Sequence, residues 1–333
     1  MDPFDSHVTT SGRSAALPQL QDRLFITDSG LETTLIYRHH LDLPEFAAFV
    51  LLETNAGRQR LRAYFDGHAA IARVHGAGFI AESPTWRANR DWGRTLGYDD
   101  ERLAMINRVA IMQLAELRAR AGQDPDTYII SGCIGPRHDG YDGAVRMGAA
   151  EAERYHEAQI QTFADTPVDL VSALTITYVD EAIGITRAAA RAGLPVVISF
   201  TVETDGRLPS GTTVQDAILQ VDAATDRRPA YYMLNCAHPS HFSGVLEAGR
   251  GWPLRIRGIR ANASRRSHAE LDAASELDDG DPVQLAVEYR QLVTALPHLT
   301  ILGGCCGTDH RHVSAIAEVC ADLFEPIRAG RSI

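Results

Sequence analysis

What most constrains this 333-residue chain is a rhythm of two alternating patterns. From about residue 24 onward, short β-branched runs are separated by segments of helical periodicity. The strand candidates are Leu24–Asp28, Phe79–Glu82, Tyr128–Ser131, Asp169–Ala173, Val196–Phe200, Tyr231–Leu234, Arg255–Arg260 and Thr300–Leu302. Between two of them, Leu103, Ile106, Ala110, Leu114 and Leu117 share one helical face, and Gly122 follows as a stop. The last segment reads the same way, with Thr308 or Asp309 as its cap and Val313, Ile316, Ala317 and Cys320 as its inner stripe. Eight strand-then-helix units predict an α/β chain folded as a single (β/α)8 TIM barrel over residues 22–333, behind a loose leader at 1–21. A doubly wound sheet is the alternative, but no Gly-x-Gly-x-x-Gly turn follows the first strand. A barrel carries its chemistry in the loops after its strands, so those loops hold the candidate site.

Composition removes several chemistries from those loops. All 32 basic residues are Arg and none is Lys. A Schiff-base lysine, a pyridoxal phosphate anchor and a Gly-Lys-Ser/Thr phosphate loop are therefore excluded. The net charge of −11 argues against a nucleic-acid or anionic-membrane surface. No run approaches a membrane span, and Met1–Gln21 lacks the apolar core of a signal peptide, so a cytoplasmic location is expected. Five cysteines in such a chain are expected as reduced thiols, with Cys133 and Cys320 as core residues.

The other three cysteines fall at strand ends. Cys236 follows the sixth strand in Leu234-Asn-Cys-Ala-His-Pro, and Cys305-Cys306 follow the eighth in Leu302-Gly-Gly-Cys-Cys-Gly-Thr. A barrel brings both positions to one end, where three thiolates make a tetrahedral zinc site with one position open. Adjacent strand residues point to opposite faces, so Gly303, Gly304 and Gly307 are expected to supply torsions that turn both sulfurs toward one ion. A zinc hydrolase or lyase, or a noncatalytic zinc or redox-sensing protein, could use the same thiols.

Stretches across nearly the whole barrel resemble the homocysteine S-methyltransferase family. That family includes betaine- and S-methylmethionine-dependent enzymes and the homocysteine module of cobalamin-dependent methionine synthase. The matching stretches are Asp28-Ser-Gly-Leu-Glu-Thr (family Asp-Gly-Gly), Ser131-Gly-Cys-Ile-Gly-Pro, Asn235-Cys236, and Gly303-Gly-Cys-Cys-Gly-Thr with His312 and Ala315-Ile316 beyond it. The resemblance implies that Cys236, Cys305 and Cys306 are the catalytic Zn2+ ligands. It implies methyl transfer from S-methylmethionine or S-adenosylmethionine to homocysteine, giving methionine. A homo-oligomer, and a separate methyl-corrinoid protein as donor in trans, stay open as partners.

Substrate contacts follow from the same loops. Asp28 matches the family's acidic residue near the acceptor. After the fourth strand the family has Glu-Thr-Ile-Pro, whereas this chain reads Leu174-Thr-Ile-Thr and lacks that acid. Glu32 is the candidate to replace it; alternatively the acceptor is a different thiol or a selenol. Asn262, in Arg260-Ala-Asn-Ala-Ser where the family has Tyr-Pro-Asn-Ser-Gly, is a candidate weak oxygen ligand or substrate hydrogen-bond partner. Trp86 and Trp92 offer indole faces to a sulfonium or quaternary ammonium donor. Thr175, Tyr178 and Asn235 are placed beside the same cleft, and Arg137 with His138 as partners for a substrate carboxylate. His238 and His241 read as second-layer partners of the thiols or as a helix start, and His310 and His312 as surface or capping residues.

Overall fold

The computed structural model describes residues 17–140, 146–249 and 251–326. Eight parallel strands close into one barrel, β1 (Phe25–Thr27), β2 (Gly78–Glu82), β3 (Tyr128–Ile134), β4 (Leu170–Ile176), β5 (Val196–Phe200), β6 (Tyr231–Asn235), β7 (Ile256–Ala261) and β8 (Ile301–Gly304), with β1 pairing both β2 and β8. Each expected strand is present.

A long helix follows every strand, beginning with Asn55–Val74 after β1 and ending with His310–Cys320 after β8. Several starts are fixed by side-chain caps, Thr54, Asp99, Thr213, Asp281 and Asp309 each accepting from a backbone amide of the first turn. Gly122 has φ of 64° just past the helix Asp100–Arg120, the left-handed ending that a residue with a Cβ resists.

The barrel interior is layered. Phe25, Ile80, Ile129, Leu170, Val197, Met233 and Ile301 form an apolar plug at the N-terminal end. Two residues further along each strand, on the same face, stand Thr27, Glu82, Ser131, Ser172, Ser199, Asn235 and Gly303. On β7 the pair is Gly258 and then Arg260. The interior thus turns from apolar to polar toward the strands' C-terminal ends. Ser131 and Ser172 share a hydrogen bond of 2.8 Å, and Ser199 Oγ donates to Asn235 Oδ1 at 2.6 Å, so these polar groups satisfy one another.

Residues 1–16 of the expected leader lie outside the described residues. Pro18–Leu20 is a short 3-10 helix against the plugged end, where Gln19 Nε2 donates to the Tyr231 hydroxyl at 3.4 Å and Thr300 Oγ1 donates to the Gln19 carbonyl at 2.7 Å.

Candidate active site and its thiol cluster

The polar layer opens into a cavity of about 270 Å³ at the C-terminal ends of the strands. Cys236, Cys305 and Cys306 line it, and their three sulfurs lie within 4.8 Å of one another. Cys236 Sγ stands 3.2 Å from Cys305 Sγ and 3.4 Å from Cys306 Sγ, too far for a disulfide, and none of the five cysteines is disulfide-bonded. The cluster is a soft donor set of the kind that holds a thiophilic metal ion.

Backbone geometry aims these thiols. Cys236 adopts φ of 58°, an unfavourable conformation for a residue with a side chain. Its carbonyl accepts three hydrogen bonds, from His268 Nε2 at 2.5 Å, Asn262 Nδ2 at 3.0 Å and Thr201 Oγ1 at 3.4 Å. The Cys305 carbonyl accepts from the Thr308 hydroxyl at 2.7 Å, and Gly307 completes the turn at φ of 78°.

Gly303 and Gly304 differ from the sequence expectation. Both lie in the regular strand β8, and neither has positive φ. Their role is room: a Cβ on Gly303 would strike the Thr27 hydroxyl, and one on Gly304 the Thr308 hydroxyl. The unusual torsions sit at Cys236 and Gly307 instead.

The electrostatics of the cluster are uneven. Hydrogen bonding from Cys236 and Cys306 holds the Cys305 thiol well below its usual range, helped by Arg260 and by Asn235 Nδ2 at 3.7 Å from its sulfur. The same contacts push Cys236 well above that range.

Beside the cluster lies a buried charged group that the sequence reading did not single out. Arg260 Nη2 pairs with Asp28 Oδ1 at 2.9 Å, its Nε donates to the Gly304 carbonyl at 3.2 Å, and its Nη1 stands 4.0 Å from Glu82 Oε1. Asp28 also accepts from the Tyr64 hydroxyl at 3.2 Å. Burial raises the Asp28 carboxyl against the pull of Arg260, and pushes Glu32 and Glu82 each up to about 7. Glu82 and Arg260 both sit near the C-terminal ends of their strands, where a barrel keeps its reactive residues, and that position was the available signal.

Of the expected contacts, Asp28, Glu32, Trp86, Thr175 and Asn235 all line the cavity. Thr175, at φ of 63°, and Asn235 lock together through bonds of 2.9 and 2.8 Å. Leu174 lines the same wall and presents only carbon there.

Others stand elsewhere. Asn262 is not among the cavity-lining residues; its amide nitrogen is spent on the Cys236 carbonyl. Trp92 is likewise off the wall, and the Arg87 guanidinium lies over both indoles, 4.4 Å from Trp86 and 3.9 Å from Trp92. The chain thus supplies its own cation to the faces expected to take a donor. The Tyr178 hydroxyl accepts from the Met147 amide, and Arg137 pairs with Asp91 and Glu151. The His138 carbonyl accepts from Arg87. His238 caps the helix Pro239–Ala248 and His241 donates to the Arg265 carbonyl, so neither reaches the thiols. His312 completes a capping box with Asp309, and His310 opens the same helix. Cys320 is buried against that helix's inner face, whereas Cys133 is buried on β3 at the cavity wall.

Fold and site together define a (β/α)8 barrel with a cavity, at the strands' C-terminal ends, that is lined by a trio of thiols. The chain belongs to the homocysteine S-methyltransferase family, whose model matches residues 25–320. It is accordingly a thiol S-methyltransferase. The structure is similar to the homocysteine methyltransferase MmuM from Escherichia coli, with a TM-score of 0.73 to the oxidised form and 0.71 to the metallated form. Sequence identity to each is 18%, over 92% of this chain and 99% of that chain. At that identity the likeness speaks for the fold. No curated protein sequence matches this one at a significant level.

Proposed function

We propose that this protein is a zinc-dependent methyltransferase that moves a methyl group from a sulfonium donor, S-methylmethionine or S-adenosylmethionine, to homocysteine, giving methionine. The observation that carries this reading is the trio Cys236, Cys305 and Cys306 inside the cavity. A tetrahedral zinc ion with Zn–S bonds of about 2.3 Å needs sulfurs about 3.8 Å apart. Separations of 3.2 and 3.4 Å reach that with a slight opening of the triangle, so the residues fit the ion. When bound, zinc supplies deprotonation of a substrate thiol at neutral pH.

The chain's own residues do the rest. His268, Asn262 and Thr201 hold the strained Cys236 backbone, and Asn235 steadies Cys305. Leu174, Phe46 and Leu271 contribute apolar wall that limits water around the reacting sulfur. Glu32, a carboxylate on that wall, is our candidate to replace the acid that the family carries where this chain has Leu174. Asp139, Asp272, Glu276 and Asp278 add further negative charge to the lining, which favours a cationic donor over an anionic one. A sulfonium donor also leaves as a neutral thioether, so methyl transfer needs no lysine or other amine.

A second reading is favoured by Leu174, which presents carbon where the family carries an acid: the acceptor is then another thiol or a selenol. A methyl-corrinoid protein as donor, and assembly of the chain with itself, are compatible with an open cavity. No helix among the described residues is long and apolar enough to cross a membrane. A reducing, cytoplasmic setting would keep the thiols of the trio available to the ion.

The deciding experiment is a mass-spectrometric screen of thiol acceptors against sulfonium and betaine donors with zinc-loaded protein. Methionine formed from homocysteine is the expected product. No methyl transfer to any thiol overturns the proposal.

A further inference from the structure

We infer that Glu82 and Arg260 together bind the zwitterionic head group of the acceptor, Glu82 taking its ammonium and the free edge of the Arg260 guanidinium its carboxylate. This rests on the acceptor being an amino-acid thiol, as proposed above.

Both residues line the cavity and both are almost wholly buried, each at 4% exposure. Among the described residues, Glu82 Oε2 has no hydrogen-bond partner, and neither does Arg260 Nη1. The rest of the guanidinium is engaged: Nη2 meets Asp28 and the Ser29 carbonyl, and Nε meets the Gly304 carbonyl. What remains is one unsatisfied acceptor and one unsatisfied donor on neighbouring side chains, with Glu82 Oε1 and Arg260 Nη1 4.0 Å apart. Leaving these two atoms without hydrogen bonds in a buried site is costly, and a ligand offering a cation beside an anion satisfies both at once.

The other carboxylate at this level, Asp28, already faces a cation at 2.9 Å, although its Oδ1 also lacks a hydrogen bond. Asp28 carries both the Arg260 pair and the Tyr64 hydroxyl. Across the cavity, Leu174 offers nothing polar from its side chain. Position also suits a short acceptor, because Arg260 bonds the carbonyl of Gly304, the residue immediately before Cys305. A head group held at Arg260 keeps its sulfur on the side of the thiol cluster.

Calorimetric titration of the zinc-loaded protein tests this without any methyl donor. The ligands are homocysteine, 4-mercaptobutanoate (which lacks the ammonium) and 3-mercaptopropylamine (which lacks the carboxylate). Wild-type protein should bind homocysteine at least about 10-fold tighter than either analogue. Glu82→Gln should weaken homocysteine by about 10- to 100-fold while leaving 4-mercaptobutanoate unchanged. Arg260→Gln should erase discrimination against 3-mercaptopropylamine instead. Equal wild-type affinity for homocysteine and 4-mercaptobutanoate overturns the inference and needs no variant. Tight wild-type binding with the same ligand ratios in Glu82→Gln also overturns it, while the acceptor assignment stands. Failure of the wild-type protein to bind homocysteine overturns the acceptor assignment and this inference with it.

Discussion

His268 Nε2 donates a 2.5 Å hydrogen bond to the main-chain carbonyl of Cys236, so a residue 32 positions away holds the backbone of one thiol of the cluster. Its own placement is secure, since the helix His268–Asp272 begins with a capping box between Ser267 and Glu270. Replacing it leaves the left-handed Cys236 with two side-chain donors instead of three. His268→Ala is expected to weaken zinc binding by about 10- to 100-fold, the usual cost of losing such support. Competition against a chromogenic chelator measures this, and an unchanged affinity would show that Asn262 and Thr201 suffice.

Each sulfur of the cluster is expected to be indispensable. Cys305→Ala should lower zinc content from one ion per chain to near none and abolish methyl transfer. Cys133→Ala and Cys320→Ala should retain the ion, because neither sulfur belongs to the trio. Metal analysis of the three variants distinguishes these outcomes.

Glu32 faces the cavity near Asp28 and Cys305, whose negative charge adds to burial in raising its carboxyl. Glu32→Ala should raise the acceptor KM about 10-fold with little change in the donor KM. An acceptor KM equal to that of the parent would remove Glu32 from substrate binding.

The buried Glu82 carboxyl makes stability depend on pH in a defined direction. Folding raises it from an ordinary 4.5 to about 7, with Arg260 opposing the rise and Asp28 adding to it. The folded state then binds a proton that the unfolded chain has released. This contribution is fully present below pH 4.5 and is lost as pH rises through 7, by up to about 3 kcal/mol. Glu82→Gln should therefore unfold at a higher denaturant concentration than the parent at pH 8, and at a similar one near pH 4.5. Equal midpoints at pH 8 would show that Glu82 is charged at little cost.

Much of the site was legible because a parallel barrel converts strand order into location. Knowing that Cys236 follows β6 and Cys305 follows β8 was enough to bring them together. Knowing that Asp28 follows β1 placed it in the same cavity. Glu82 and Arg260 were harder, since each closes a run that already reads as strand. Which of two alternating faces points inward becomes visible only when the apolar layer containing Ile80 and Met233 is in view. The indoles show a different limit: Trp86 and Trp92 advertise a cation site, but the side-chain path by which Arg87 fills it has no periodic signature. For Gly303, residue type was informative and its cause was not. Glycine serves torsion and close approach alike, and only the position of the Thr27 hydroxyl separates the two.

Cys236 and the Cys305-Cys306 pair directly follow β6 and β8, which do not pair with each other, because β7 runs between them and pairs with both. An ion gripped by all three sulfurs is therefore a staple thrown over an intervening strand, outside the hydrogen-bonded ladder. Loading it would tighten a seam of the cylinder as well as arm its chemistry. The amides of β7, from Ile256 to Ala261, would then exchange with solvent more slowly, making the integrity of the wall a reporter for the state of the site.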